Sequence, residues 1–289
     1  MKNRSRLISH LRTSFFLVFC SLACAVLLSC KTHITNLSTR PSVETGQGVA
    51  IAGFIITGTQ SRQVVIRGLG PTLTQDGVSG ALADPFLSLL DGNGNVLWNN
   101  NNWKDSQQAA IQETGLAPTN DLESAILRTL APGNYTAILS GRNSTSGIGL
   151  VEVYDLSTSF PLPAQLTNVS TRGFVGTGQA VMIGGFIIGG GRYDIQVVVR
   201  GLGPSLTQHG VSGALADPFL RLFDSNGNVL RTNNDWKDSQ QAAIQATGLA
   251  PTNDLESAIL RTVMPGNYTA ILSGKNNTTG IGLIEIYKL

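Results

Sequence analysis

The loop DGNGN places the oxygen donors Asp91, Asn93 and Asn95 at alternate positions, and DSNGN repeats them 133 residues later as Asp224, Asn226 and Asn228. Alternating Asp and Asn is how many calcium loops begin, so calcium is the one cofactor the sequence raises. An EF-hand also needs glycine at position six and glutamate at position twelve. Here those positions hold Val96 or Val229, and Asn102 or Asp235. Two readings stand: a sandwich-loop calcium site, or a hairpin turned by Asn-Gly.

A second pair centres on Trp103 and Trp236, flanked by Asn101 and Asp105 in one case and by Asn234 and Asp238 in the other. Exposed aromatics beside Asn and Asp can stack and bind sugar rings, which raises a polysaccharide as partner. The competing reading has both indoles anchoring a helical lid. Trp98 aligns with Arg231 and so belongs to no shared site.

Hydrolase chemistry finds little support. His33 and His209 are the histidines beyond the leader, and His209 corresponds to Asp76 in the first copy, so no Ser–His–Asp base is shared. The repeated carboxylates Asp84, Asp91, Asp105, Asp121, Glu123 and Glu152 could pair for glycosidase work. Several have local roles as caps or turn residues, and a link to Arg67 would account for the remaining Asp84 and Glu152. GLGP after a strand lacks the further glycine or Gly-Lys-Ser/Thr of a phosphate loop, and Pro71 removes a donor. It reads as a turn.

The elements that carry these residues come in two copies. From Arg67 to Tyr154, 72 of 88 positions recur without a gap from Arg200. Before Arg67 the offset is one residue shorter, because TGTQSRQ faces GGGRYDIQ, a length change that a surface loop tolerates. Each copy is of a size that can hold its own core, so two autonomous domains are expected. VAIAGFII (49–56) reads as a buried strand, and GIGLVEVY (147–154) as a strand with one wet face. Between the strands two short helices are expected. Asp105 caps the first and Gly115 ends it; Asn120 caps the second, which carries an apolar stripe of Leu122, Ala125, Ile126 and Leu130. The predicted fold is mainly β: two tandem antiparallel β-sandwich, jelly-roll-like domains, each with two short helices inserted. The expected boundaries are repeat 1 over 36–156, a Pro-containing linker over 157–165 and repeat 2 over 166–289.

The amino terminus sets the expected location. Lys2, Arg4, Arg6 and Arg12 precede an apolar run from Phe15 to Leu28, which is too short to span a bilayer and reads as an export signal over 1–29. It ends in LLSC, which resembles a bacterial lipobox. That resemblance implies acylation of Cys30, a tether over 30–35 and a membrane as partner, at the outer membrane or cell surface. Cys20 and Cys24 leave with the signal, so the mature chain has no disulfide. It carries 16 Lys+Arg against 18 Asp+Glu and no basic run, which argues against nucleic acid.

The motifs IRGLGP, GALADP, APTNDLESAI, PGNYTAILSG and GIGLVEVYD resemble a repeat family of large secreted bacterial proteins. LSLLDGNGNVLWNNN with PGNYTAILSG is similar to pre-peptidase C-terminal β-sandwich domains attached to secreted hydrolases. Both resemblances imply a jelly-roll-like accessory module, and neither implies a known reaction. The resulting expectation is a non-enzymatic, surface-anchored lipoprotein for binding or adhesion, with polysaccharide or another envelope protein as partner. A structural spacer is the alternative.

Overall fold

The computed structural model describes residues 33–156, 164–189, 191 and 193–289. The expected export signal over 1–29, Cys30 and residues 157–163 of the expected linker lie outside them. The first copy contains β1 (His33–Arg40), β2 (Ser42–Val43), β3 (Ala50–Gly58), β4 (Arg62–Leu69), β5 (Pro85–Asp91) and β6 (Val96–Asn100). It continues with β7 (Ser124–Leu130), β8 (Gly133–Gly141), β9 (Gly147–Ile148) and β10 (Leu150–Asp155). The second contains β11 (Ala164–Val175), β12 (Met182–Gly189), β13 (Ile195–Leu202) and β14 (Pro218–Phe223). β15 (Val229–Asn233), β16 (Ser257–Val263), β17 (Gly266–Gly274) and β18 (Gly280–Lys288) complete it. Helix is confined to short pieces: α1 (Pro71–Gln75), α2 (Gln108–Glu113), α3 (Gln241–Ala246) and several 3-10 turns. Among the described residues no helix is long and apolar enough to cross a membrane.

The architecture is the expected antiparallel β-sandwich, but the two copies are not separate. One sheet runs β7-β4-β10-β1 and continues directly into β12-β17-β14-β15 of the second copy. The other runs β16-β13-β18-β11 and continues into β3-β8-β5-β6 of the first. Each copy's first strand therefore bridges the two copies: β1 joins β10 to β12, and β11 joins β18 to β3. The exchange is reciprocal and gives the molecule an internal two-fold relation. Thr39 and Thr171, equivalent positions in β1 and β11, meet across it with a buried 2.9 Å hydroxyl–hydroxyl bond.

The alternating burial of β3, β5, β12 and β14 places one face of each strand in the core. That core is shared. Ile34, Leu37 and Phe54 of the first copy cluster with Leu166, Val169 and Phe186 of the second. The expectation of autonomous domains is corrected accordingly: a hairpin-like edge that would stand open in one copy is closed by the other. The expected tether and linker also give up residues to strands, since His33 begins β1 and Ala164 begins β11.

Two glutamines lock the exchange from outside. Gln47 Oε1 accepts the backbone N–H and hydroxyl of Ser212, and its amide donates to the Gly210 carbonyl. Gln179 repeats this on Ser79 and Gly77. Gly77 and Gly210 both hold a left-handed backbone (φ 79° and 77°), which a glycine adopts without strain.

Candidate functional site

The repeated stretch beginning at Trp103 and Trp236 folds differently from its helical reading. Its first part is a 3-10 turn, Trp103–Asp105, followed by α2, and neither has a side-chain cap. Asn120 caps no helix; its Oδ1 accepts the Leu122 N–H in a turn, and the chain enters strand β7 at Ser124. The helical stripe was misleading because β7 is covered on both faces. Ile126 and Leu130 enter the main core, while Ala125 and Leu127 pack outward against Trp103 and Ile111. A strand buried on both sides has no period of two to read.

β7 is the last strand of its sheet, and the lid closes its edge with side chains. The Gln107 amide donates to the Leu127 carbonyl at 2.9 Å and accepts the Leu127 N–H at 3.1 Å. Asn100 Oδ1 accepts the Ala125 N–H. Gln240 and Asn233 do the same for Leu260 and Ala258. A row of amide side chains thus substitutes for a missing strand.

Trp103 and Trp236 are each 4% exposed, so neither offers a stacking face to a sugar. Trp103 Nε1 donates to the Asn120 carbonyl, and Lys104 lies 5.4 Å from the ring while pairing with Asp121. Both indoles anchor the lid, because the loop before β7 folds back over them. Asn101 donates to the Asn102 side chain, and Asp105 and Asp238 stay on the exposed rim. Asn234 is half-buried beside Trp236. The expected sugar platform is not assembled.

In the calcium-like loops Asp91 Oδ1 accepts the N–H groups of Asn93 and Asn95, and Oδ2 accepts the Asn95 amide. Asp224 repeats all three bonds with Asn226 and Asn228. The Asn95 side-chain bond first, then its backbone bond, hold the Asp91 carboxyl below its ordinary value; Asn228 acts in the same order on Asp224. These bonds account for the spacing of the motif as a hairpin.

The polar groups that do converge are Arg67, Glu152 and Tyr154, with Arg200, Glu285 and Tyr287 as their counterparts. Arg67 stands opposite Glu152 in the β4–β10 register. Its Nε and Nη2 both donate to Glu152 Oε2, forming an ion pair, and its Nη1 donates to the Leu116 carbonyl. The Tyr154 hydroxyl donates to Glu152 Oε1 at 3.0 Å. Burial first, then the Glu152 charge, push the Tyr154 phenol above its ordinary value, and the same causes act on Tyr287. The expected link to Arg67 is present for Glu152 but not for Asp84, whose buried Oδ1 has no hydrogen-bond partner among the described residues.

Beside this cluster lies Glu123, fully buried although its sequence context suggested an exposed helix start. Its Oε1 accepts the N–H groups of Gly70 and Thr72 at 3.2 and 2.9 Å, closing the GLGP turn and the start of α1. Its Oε2 has no partner among the described residues. Glu256 holds Gly203 and Ser205 in the same way. A cleft of about 300 Å³ lies between Arg67, Thr72, Asp76, Thr119, Glu123 and Glu152. It is lined by three carboxylates and a guanidinium, yet both Glu152 oxygens and one Glu123 oxygen are already spent on protein donors, and Asp76 stands on the exposed rim. Nothing in sequence linked Glu123 to Gly70 of GLGP, 53 residues away. Among the described residues, no three His, Cys, Asp or Glu side chains gather where they could hold a metal.

No family model matches the chain, and no curated protein is similar to it at a significant level. Among solved structures, a DUF4785 family protein from Legionella pneumophila subsp. pneumophila str. Philadelphia 1 is 9% identical. The match covers 89% of this chain and 84% of that one, with a TM-score of 0.20, and a likeness that weak carries no argument.

Proposed function

We propose that this protein is a non-enzymatic lipoprotein, held by acylated Cys30 at the outer membrane or cell surface, whose double sandwich serves binding or adhesion. The observation that carries the reading is how the repeated polar groups are used. Arg67, Glu152 and Tyr154 bond chiefly to one another, Asp91 to its own hairpin, and Glu123 to the turn before α1. Groups already committed to protein partners hold strands together and are poorly placed to turn over a substrate. His33 opens β1 three residues after Cys30, so an acyl anchor there would hold the sandwich close to the bilayer. The side-by-side merger of the copies also gives little reach, which favours binding over spacing.

The test pairs labelling with a fatty-acid analogue and membrane fractionation for the native chain and Cys30→Ser. Label and membrane association should both be lost in the variant. Unchanged label would overturn the anchor. Hydrolysis of a glycoside or ester by the native chain, abolished by Glu123→Gln without loss of folding, would overturn the non-enzymatic reading.

A further inference from the structure

The seam between the copies forms a second cleft of about 440 Å³, lined by Arg40 of the first copy and Arg221 of the second. Four directly paired residues make its base: Arg40 faces Ile183, Ile183 faces Ile271, and Ile271 faces Arg221. Direct partners across a sheet share a face, so two isoleucines form a floor with an arginine at each end. Three strand spacings put the two arginine backbones on the order of 14 Å apart. Both side chains lean toward the same end of the sheet. Arg40 donates to the Gln179 carbonyl, and Arg221 lies along its own strand with its guanidinium 6.0 Å from the Phe219 ring.

Neither guanidinium has an acidic partner, and no acid lines the cleft among the described residues. The Nε atoms of both are buried and find no acceptor. Two half-buried cations over an apolar floor, with no counter-charge of their own, are matched to an anion supplied from outside. The two-fold relation adds a contrast. Arg172 stands where Arg40 does, but Ser88 replaces Arg221, so the equivalent seam carries one arginine.

We propose that the Arg40–Arg221 cleft binds a carboxylate-bearing saccharide, one segment per chain. This deepens, and rests on, the reading of the protein as a non-enzymatic binding module. The carboxylates meet the guanidiniums, the apolar face of a pyranose ring covers Ile183 and Ile271, and Asn277 and Thr177 at the rim face ring hydroxyls. A bare inorganic anion would leave that floor unused.

The experiment titrates trigalacturonate into the full chain in detergent by calorimetry, with fully methyl-esterified trigalacturonate as the uncharged probe of similar size. The acid should bind at one per chain and be recovered intact, and the ester should not bind. Arg40→Gln and Arg221→Gln should each weaken binding about tenfold or more, with unchanged melting temperatures, while Arg172→Gln leaves it unaltered. The proposal is overturned by absence of saturable binding, by equal affinity for the ester, or by indifference to both substitutions. Displacement by an equal concentration of inorganic phosphate would also overturn it, since the site would then take any anion. Cleavage of the trimer with its arginine dependence intact would instead strike the non-enzymatic reading alone.

Discussion

Leu139→Ala separates one shared core from two independent ones. Leu139 lies fully buried in β8, opposite Ala50 of β3 and Leu87 of β5, well inside the first copy. Truncating a buried leucine costs about 3–4 kcal/mol once the cavity is counted. In a single cooperative unit of this size, each kcal/mol lowers the melting temperature by about 2–4 °C. The expected result is one calorimetric transition, lowered by about 6–16 °C. Leu272→Ala, its equivalent in β17, should lower the same transition by a similar amount, because Leu139 and Leu272 belong to one cluster. Hydrogen exchange supplies the second readout: in the Leu139→Ala variant the slowest amides of β13 and β17 should lose as much protection as those of β8. Independent domains would give two transitions, with only the first moved and β17 protection intact. That outcome would refute the shared core and the strand exchange together.

Three further outcomes follow from the same contacts. Gln107→Ala and Gln240→Ala each leave an edge N–H and carbonyl without partners, which costs about 1–3 kcal/mol in denaturant midpoint and should raise light scattering as the edge is opened. Asp91 and Asp224 have folded pKa values below the ordinary 3.8. Their contribution is therefore present above that value and lost as pH falls through the lower folded one. Asp91→Asn with Asp224→Asn should flatten this acid limb of stability, and the native melt should not move between excess Ca²⁺ and chelator. Trp103→Ala should cost about 3–5 kcal/mol by chemical denaturation and leave trigalacturonate affinity at Arg40 and Arg221 unchanged, because the indole is a buried anchor.

Much of the local structure was legible in the chain. The apolar runs in FLSLL and VAIAGFII identify β5 and β3, and Asn-Gly marks the hairpin between β5 and β6. The Arg67–Glu152 pair could be anticipated because both residues recur and neither had a simpler local role. The segment before Thr129 could not, since a strand covered on both faces carries no alternating pattern. The role of Glu123 was hidden for a related reason. Its partners at Gly70 and Thr72 are neighbours only after β4 and β7 pair. The recurrence of Gln47 as Gln179 in TGQ was a visible signal, but its meaning depended on which turn each would reach.

The sequence by itself determined the β class, the two-fold repetition, the hairpins and the absence of cysteine beyond Cys30, because short-range pattern and composition encode these directly. Only the tertiary structure decided that β1 and β11 cross between the copies, that both tryptophans are anchors, and that Arg40 and Arg221 share one cleft. The physical reason is degeneracy. Near-identical repeats present near-identical strand edges, so local pattern cannot say whether a strand pairs within its own copy or with the other. That choice is settled by the apolar surface both copies bury together.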